Sequence, residues 1–358
     1  MIVNLNETLS ADQFVGFLEN LNEGYGLSLE LEGLFPIKKM DGLDYSYIKG
    51  GNGAIELSAP SSFDAEPIAQ QRKGFNAMKG ELPLFRKKMF ISEREKQKLK
   101  TYMKLSDKEG ISNILTQIYD DQTTLIEGAQ MTMEFLRARA LMNGKITFES
   151  KGGAVNVDYK VPSENKYVLT GDATWDNADA LILDDIKDWC DAIEVNTGYK
   201  PTKMIMNKNT FKLLRKNEQV KNNLLPISLL ASATVKESLA ISDRQIISTI
   251  EAYTGLTDII IYNKKVQYDG KVYDLIEDNK VALFPEGVLG GTMIGTSPAE
   301  LNAEEANASG AGIAVTADGI AVNVYTKTES PYTTSTEVEF IGLPSFEKSD
   351  SVALATVA

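Results

Sequence analysis

The chain has 358 residues, enough for one large domain or two with a sizeable core. A formal net charge of −13 argues against a surface built to grip nucleic acid. The absence of histidine removes Ser-His-Asp triads, Cys-His pairs and His-containing zinc sites together, and one cysteine, Cys190, excludes an intrachain disulfide framework.

At the N-terminus, Met1–Thr8 lack a basic segment followed by an apolar run, so no signal peptide is read. No apolar run approaches membrane-spanning length, and the expectation is a soluble protein made in a cytoplasm. A short amphipathic helix is predicted over Ser10–Leu21, with Phe14, Phe17, Leu18 and Leu21 on one side. Residues 1–35 cannot form a core of their own and must dock elsewhere. Leu43, Tyr45 and Tyr47 then alternate with polar residues, Gly50–Gly53 turns the chain, and Ile55 and Leu57 alternate on the return. That pattern predicts a hairpin over 43–58 with no neighbouring strand to shelter it, and a lone hairpin is marginal in water. Tyr45, Tyr47 and Ile55 are therefore candidates for burial against another subunit.

Residues 79–104 carry Arg86, Lys87, Lys88, Arg94, Lys96, Lys98, Lys100 and Lys104 without the interleaved aromatics that stack on bases. Three readings stand: a solvated face, a subunit contact with acidic neighbours, or a nucleic-acid contact. The second makes Arg86, Lys87 and Lys88 interface candidates. A single long helix follows. Ser106 with Glu109 has capping-box spacing, apolar residues recur from Ile111 to Ala140 at helical period, and Gly144 is a natural terminator. Roughly 37 residues give a rod of about 55 Å, which needs something large to lie across. The polar stretch Asp120–Thr124 interrupts its apolar stripe, where a bend or thin packing is expected.

Beyond the rod, Ile146–Phe148 and Val155–Tyr159 read as strands around Gly152-Gly153. A second region begins near Asp172. It holds a helix from about Asn177 to Asn196 closed by Gly198, a strand at Met204–Met206 and a short helix at Thr210–Lys216. Ser242 caps a helix over Asp243–Tyr253 that Gly255 stops. Strands follow at Ile259–Tyr262 and Val266–Tyr268, Asp269-Gly270 turns into Lys271–Leu275, and Lys280–Phe284 is a further strand. The alternation predicts a mixed α/β domain around a central sheet. Residues 300–312 read as a small polar loop, and the chain ends in apolar segments at Thr336–Ile341 and Val352–Val357.

Chemical motifs are weak. Gly287, Gly290, Gly291 and Gly295 fit neither the dinucleotide fingerprint nor a phosphate loop, and read as a turn between strands. Asp184, Asp188 and Asp191 fall near one helix face without a calcium-loop glycine, so a solvated acidic face is favoured over a cation site. Met131, Met133 and Met142 read as core filler, and Cys190, beside Trp189, as a small buried residue. The Asn307-Ala308-Ser309 sequon is not expected to meet a glycosylation machinery. No metal, cofactor or catalytic constellation is expected.

Several segments resemble a known family. Phe135–Ile146, running into a hairpin with Asp158-Tyr159, is similar to the end of the spine helix in lambda-type major capsid proteins of tailed phages, the major capsid protein E family. Trp175, Leu183–Ile186, Trp189 and Gly198-Tyr199-Lys200-Pro201 resemble the opening of the axial domain there. Tyr268-Asp269-Gly270, Phe284-Pro285, Leu289–Thr292, Gly295–Pro298, Leu343-Pro344 and the terminal Val352–Val357 fit the same order.

The resemblance implies an α+β protein of the Hong Kong 97-type fold. It would comprise an N-terminal arm (1–36), an extended loop (37–68), a peripheral domain (69–171) with the spine helix at about 106–143, an axial domain (172–329) and a return to the peripheral domain (330–358). It implies a structural head protein, not an enzyme, forming hexamers and pentamers in an icosahedral shell assembled in the host bacterial cytoplasm. Further implied partners are a separate scaffolding protein, a portal protein, and packaged DNA enclosed without sequence-specific binding, with no membrane. An encapsulin-like compartment shell and a carboxylate-dependent hydrolase are the alternatives.

Overall fold

The computed structural model describes residue 27 and residues 29–49, 76–105, 108–150, 152–224, 242–305 and 313–358. The helix expected at Ser10–Leu21, the return limb at Ile55 and Leu57, the Ser106 cap and the Asn307 sequon lie outside them.

Strand β1 (Ile37–Lys39) is followed by β2 (Asp44–Lys49), β3 (Asn76–Glu81) and β4 (Leu84–Ile91). β2 pairs antiparallel with β3, Tyr45 opposite Gly80 and Tyr47 opposite Met78, so among the described residues the partner of the first limb is 76–81; the expected turn at Gly50–Gly53 lies outside them with the return limb. Alternation marks both limbs of a hairpin but not which downstream limb is the partner.

Helix α1 (Glu93–Leu105) was not anticipated. Its signal was present: the Ser92 amide donates to Glu95 Oε2 at 2.7 Å, and the Glu95 amide donates back to Ser92 Oγ at 3.4 Å. Helix α2 (Lys108–Asn143), of 36 residues, is the expected rod and runs unbroken through Asp120–Thr124. It stops at Gly144, whose φ of 62° is left-handed and whose amide donates to the Ala140 carbonyl at 3.0 Å. A Cβ at Gly144 would lie 2.6 Å from Val161, so the site excludes a side chain sterically as well. The expected hairpin follows as β5 (Lys145–Ser150) and β6 (Gly153–Asp158).

The chain then runs through β7 (Lys166–Val168), α3 (Ile182–Thr197), β8 (Lys203–Met206), α4 (Lys208–Lys216), α5 (Glu218–Leu224), α6 (Asp243–Thr254) and β9 (Asp258–Ile261), whose strands enter a first sheet. Helix α3 starts later than expected because residues 171–181 are turns, with the Asn177 side chain accepting from the Asp179 amide. Gly198 and Gly255 end α3 and α6 in left-handed geometry, and Ser242 makes a full capping box on α6, all as expected. The hairpin β10 (Lys265–Tyr268) and β11 (Lys271–Asp274) turns through Asp269-Gly270, and β12 (Lys280–Phe284) completes this region. With the C-terminal β17 (Ala353–Thr356), the strand order is β7-β17-β12-β8-β9. Its core includes an aromatic stack: Tyr167 and Trp189 at 4.9 Å between centroids, Trp189 and Trp175 at 5.9 Å.

The remaining strands build a second, six-stranded sheet. β13 (Gly291–Gly295), helix α7 (Pro298–Glu305), β14 (Ile313–Val315), β15 (Ala321–Thr326) and the long β16 (Thr334–Ser345) complete the chain before β17. The order is β1-β13-β16-β15-β14, with β4 also on β16. Ile341 pairs with both Leu84 and Gly295, so β4 runs along one side of β16 while β15 and β13 divide the other. The apolar stripe of α2, including Leu125, Ile126, Ala129 and Met133, packs on this sheet through Ile294, Val322, Val338 and Phe340.

Three expectations change. The glycine-rich stretch is not simply a turn: Gly291–Gly295 is a buried strand, and only Gly287 has the positive φ of a turn. The polar loop at 300–312 begins as helix α7, whose first turn is closed by Ser297 and Glu300. Sheet membership also crosses the expected segment limits. β13–β15 belong with β16 although they fall within 172–329, and β17 joins the five-stranded sheet although it falls within 330–358. Both sheets bury apolar strands on two faces, so composition does not say which sheet a strand enters.

Candidate subunit interface

The base of the 50–75 connection is held rigidly by its own chain. Tyr45 is 6% exposed and lies over Gly80 across the ladder, where a Cβ would sit 2.7 Å from the tyrosine hydroxyl. Tyr45 and Tyr47 stack at 6.1 Å, and both pack on the core that includes Phe346 and Leu82. Burial raises both phenols above their ordinary range. Lys49, 7% exposed, donates to the Lys160 carbonyl and pairs with Asp350 at 3.0 Å. Tyr45 is thus buried in its own chain, while Tyr47 is half-buried at the edge of the same core. Ile55 lies outside the described residues.

The basic candidates separate by position. Residues along β4 alternate faces, and Phe85 and Met89 point into the core. Arg86 lies opposite Glu339 in the ladder and pairs with it at 2.6 Å and with Glu337 at 3.0 Å. Glu339 is 2% exposed and also accepts from the Ala299 amide in the first turn of α7, at 2.6 Å. Arg86 is thus an intrachain partner of a buried carboxylate, and reversing its charge would strike the subunit itself. Arg86→Glu should destabilise the unassembled subunit by about 1.5–3 kcal/mol, the worth of hydrogen bonds to a charged group. Lys87→Glu/Lys88→Glu, at exposed positions, should cost less, about 1 kcal/mol or under, chiefly from placing a like charge opposite Glu337 in the ladder. Paired urea titrations check both.

A buried ionic junction on α2 was not read from the sequence. Glu134 is fully buried and Arg137 1% exposed. Glu134 Oε1 accepts from the Leu31 amide at 3.0 Å and the Tyr262 hydroxyl at 2.7 Å, and Oε2 meets Arg137 Nη1 at 3.2 Å. Arg137 Nε donates to Thr292 Oγ1 at 2.8 Å, which donates in turn to the Phe35 carbonyl at 2.7 Å. Burial, reinforced by Glu134, pushes the Tyr262 phenol up. One side-chain pair therefore ties the start of the described chain, the spine helix, the five-stranded sheet beyond β9 and strand β13 of the larger sheet. The available signal was two charges at i, i+3 spacing inside the apolar run Met133–Ala140.

Chemistry has little to work with. Among the described residues no group of three or more Cys, Asp or Glu could hold a metal ion. Asp184 accepts from Tyr253 Oη at 2.6 Å and Gln219 Nε2 at 2.8 Å, so it serves packing between helices. Cys190 is buried, and burial pushes its thiol up to about 12. It should stay unlabelled by a thiol reagent at pH 8 until denaturant exposes it, which a colorimetric thiol assay reads directly. No described helix is long and apolar enough to cross a membrane.

The geometry is that of a rod-braced subunit with a rigid mount for a long connection. The sequence model of the family described as phage major capsid protein E matches residues 33–351. The chain belongs to that family. A prophage capsid protein from Escherichia coli is similar in structure, with a TM-score of 0.60 at 14% identity, covering 98% of this chain and 99% of that one. A phage-related protein from Bordetella bronchiseptica has a TM-score of 0.56 at 13% identity, covering 96% and 97%. The capsid asymmetric unit of cyanophage A-1(L) has a TM-score of 0.51 at 9% identity, covering 93% and 94%. No curated protein matches the chain significantly. As a major capsid protein of the Hong Kong 97-type fold, it combines the 36-residue helix α2 with a six-stranded and a five-stranded sheet. It is a structural protein of the virion that associates with copies of itself into a shell.

Proposed function

We propose that this capsid protein assembles as hexamers and pentamers into the icosahedral head of a tailed phage, enclosing packaged DNA without sequence-specific contact. The observation that carries this is the family match over residues 33–351; in support, Tyr45 on Gly80 and Lys49 on Asp350 anchor the two strands that residues 50–75 connect. In this reading residues 50–75 lie on a neighbouring subunit with Ile55 on the apolar side of that contact, and Lys87 and Lys88 meet acidic groups of neighbours. A scaffolding protein guides curvature, a portal occupies one vertex, and assembly takes place in the host cytoplasm. The role is architectural rather than catalytic. The family match favours this reading over the encapsulin-like and hydrolase alternatives. Velocity sedimentation of protein expressed with and without a phage scaffolding protein tests it. Particles far larger than any small oligomer are expected, and a discrete dimer or trimer under all conditions would refute it.

A further inference from the structure

Three side chains converge where α2 ends against β12. Asn143, the last residue of α2, accepts at Oδ1 from the Lys280 ammonium at the first position of β12. Lys280 Nζ also pairs with Glu277 Oε2, and Glu277 Oε1 pairs with Arg139 Nη1, one turn back on α2. Arg139 is 9% exposed, its guanidinium 4.7 Å from the centre of the Phe135 ring, while Lys280 and Asn143 are half-buried. One carboxylate is thus divided between two cations. Burial, and then the positive charges of Arg139 and Lys145, hold the Lys280 ammonium below the usual lysine range.

A nucleophile, an acyl group and a proton carrier are therefore in mutual contact, and regular elements hold the first two in place. Nζ touches Oδ1, so the amide carbon Cγ, one bond further on, lies within reach of the amine. We propose that Lys280 and Asn143 form an isopeptide bond within one chain, with Glu277 carrying the proton. Once Lys280 has released its ammonium proton to solvent, the neutral amine attacks Asn143 Cγ and a C–N bond forms. Glu277 takes the proton that the attacking nitrogen sheds and delivers it to Nδ2. The Cγ–Nδ2 bond breaks and ammonia leaves, with no oxidant or cofactor required. The competing nucleophile is the Gly144 amide nitrogen, which would give a succinimide. It donates to the Ala140 carbonyl at 3.0 Å and is not free to attack. Lys212 also meets an asparagine, Asn209, at 3.1 Å, but both are exposed and Lys212 forms no ion pair among the described residues. That pair lacks the proton carrier and should not react. The proposed bond would join residues 137 positions apart, tying α2 covalently to the five-stranded sheet and restricting the unfolded chain. It is independent of the shell reading, since every group belongs to one subunit.

Intact-mass spectrometry of the purified, unassembled full chain tests it. The parent should be lighter than its encoded sequence by one ammonia. A tryptic digest should yield a branched peptide joining residues 143 and 280, uncut after Lys280. Lys280→Arg should keep the encoded mass, because a guanidinium preserves the charge but stays protonated and cannot attack. Glu277→Gln should form the bond at least about a hundredfold more slowly. Asn143→Ala serves if Lys280→Arg does not fold, and it too should keep the encoded mass. Full encoded mass in the folded parent after prolonged incubation at neutral pH overturns the proposal. So does an ammonia loss that persists in Lys280→Arg or Asn143→Ala, since it would belong to another asparagine. An unchanged rate in Glu277→Gln overturns the role given to that carboxylate. Particle formation enters none of these readings, so failure of the shell reading would leave the test of the bond intact.

Discussion

Glu134→Ala should destabilise the unassembled subunit by about 3–5 kcal/mol, the largest single effect expected of a buried ionic group. The substitution removes the acceptor of the Leu31 amide and the Tyr262 hydroxyl and leaves Arg137 buried. The nearest remaining carboxylate to Arg137 is Glu32 at 3.7 Å, and its side chain is 41% exposed, too solvated to compensate. Glu134→Leu/Arg137→Met should lie closer to the parent, because both charges leave together and only neutral groups, the Leu31 amide and the Tyr262 and Thr292 hydroxyls, lose a partner, at about 1–3 kcal/mol for each unpaired donor. The two probes available make the test sharper. Trp175 and Trp189 report on the five-stranded region alone, while helical circular dichroism sums that region's helices with α1 and α2. In the parent the two transitions should coincide. In Glu134→Ala they should separate, since the junction that couples the regions is gone. Coincident curves with a loss under about 1 kcal/mol would mean that packing, not this pair, joins the domains.

Gly290→Ala should be the most damaging one-methyl change among the described glycines, at about 1–3 kcal/mol or more. A Cβ there would lie 1.9 Å from the Ser345 carbonyl oxygen and 2.7 Å from its carbon, which are backbone atoms locked in the β13–β16 ladder. Gly291 offers the contrast. Its Cβ would meet Lys38 at 2.5 Å, but that lysine side chain is 45% exposed and can swing away. Gly291→Ala should therefore cost less than about 1 kcal/mol. Thermal unfolding of the two variants side by side distinguishes a close backbone approach from a generic dislike of alanine in the strand.

Much of the fold was legible because local signals and tertiary packing agree. The rod from residue 108 to Asn143 with its Gly144 stop, the helices ended by Gly198 and Gly255, and the Asp269-Gly270 hairpin all carry their causes within a few residues. Helix α1 carries its start signal in Ser92-x-x-Glu95, but its alternating lysines and glutamates read in sequence as a charge run. What was illegible depends on partners distant in sequence. Tyr45 alternates like an exposed-loop residue, yet it is buried because Gly80, 35 positions later, leaves room for its ring. Arg86 belongs to a basic run, yet its ladder partner is Glu339. Lys49 is a charged strand residue that nothing nearby explains until Asp350 is placed beside it. Strand assignment to sheets failed for the same reason: β17 and β16 are consecutive in sequence and enter different sheets.

A cryo-electron microscopy map of particles formed by the purified protein, expressed with a scaffolding protein, tests the central claim most directly. The account predicts closed icosahedral shells of pentamers and hexamers in which α2 braces each subunit, and density for residues 50–75 leaves the β2–β3 base to rest on the adjacent subunit. Small oligomers, or shells in which that segment folds back over its own subunit, would contradict it.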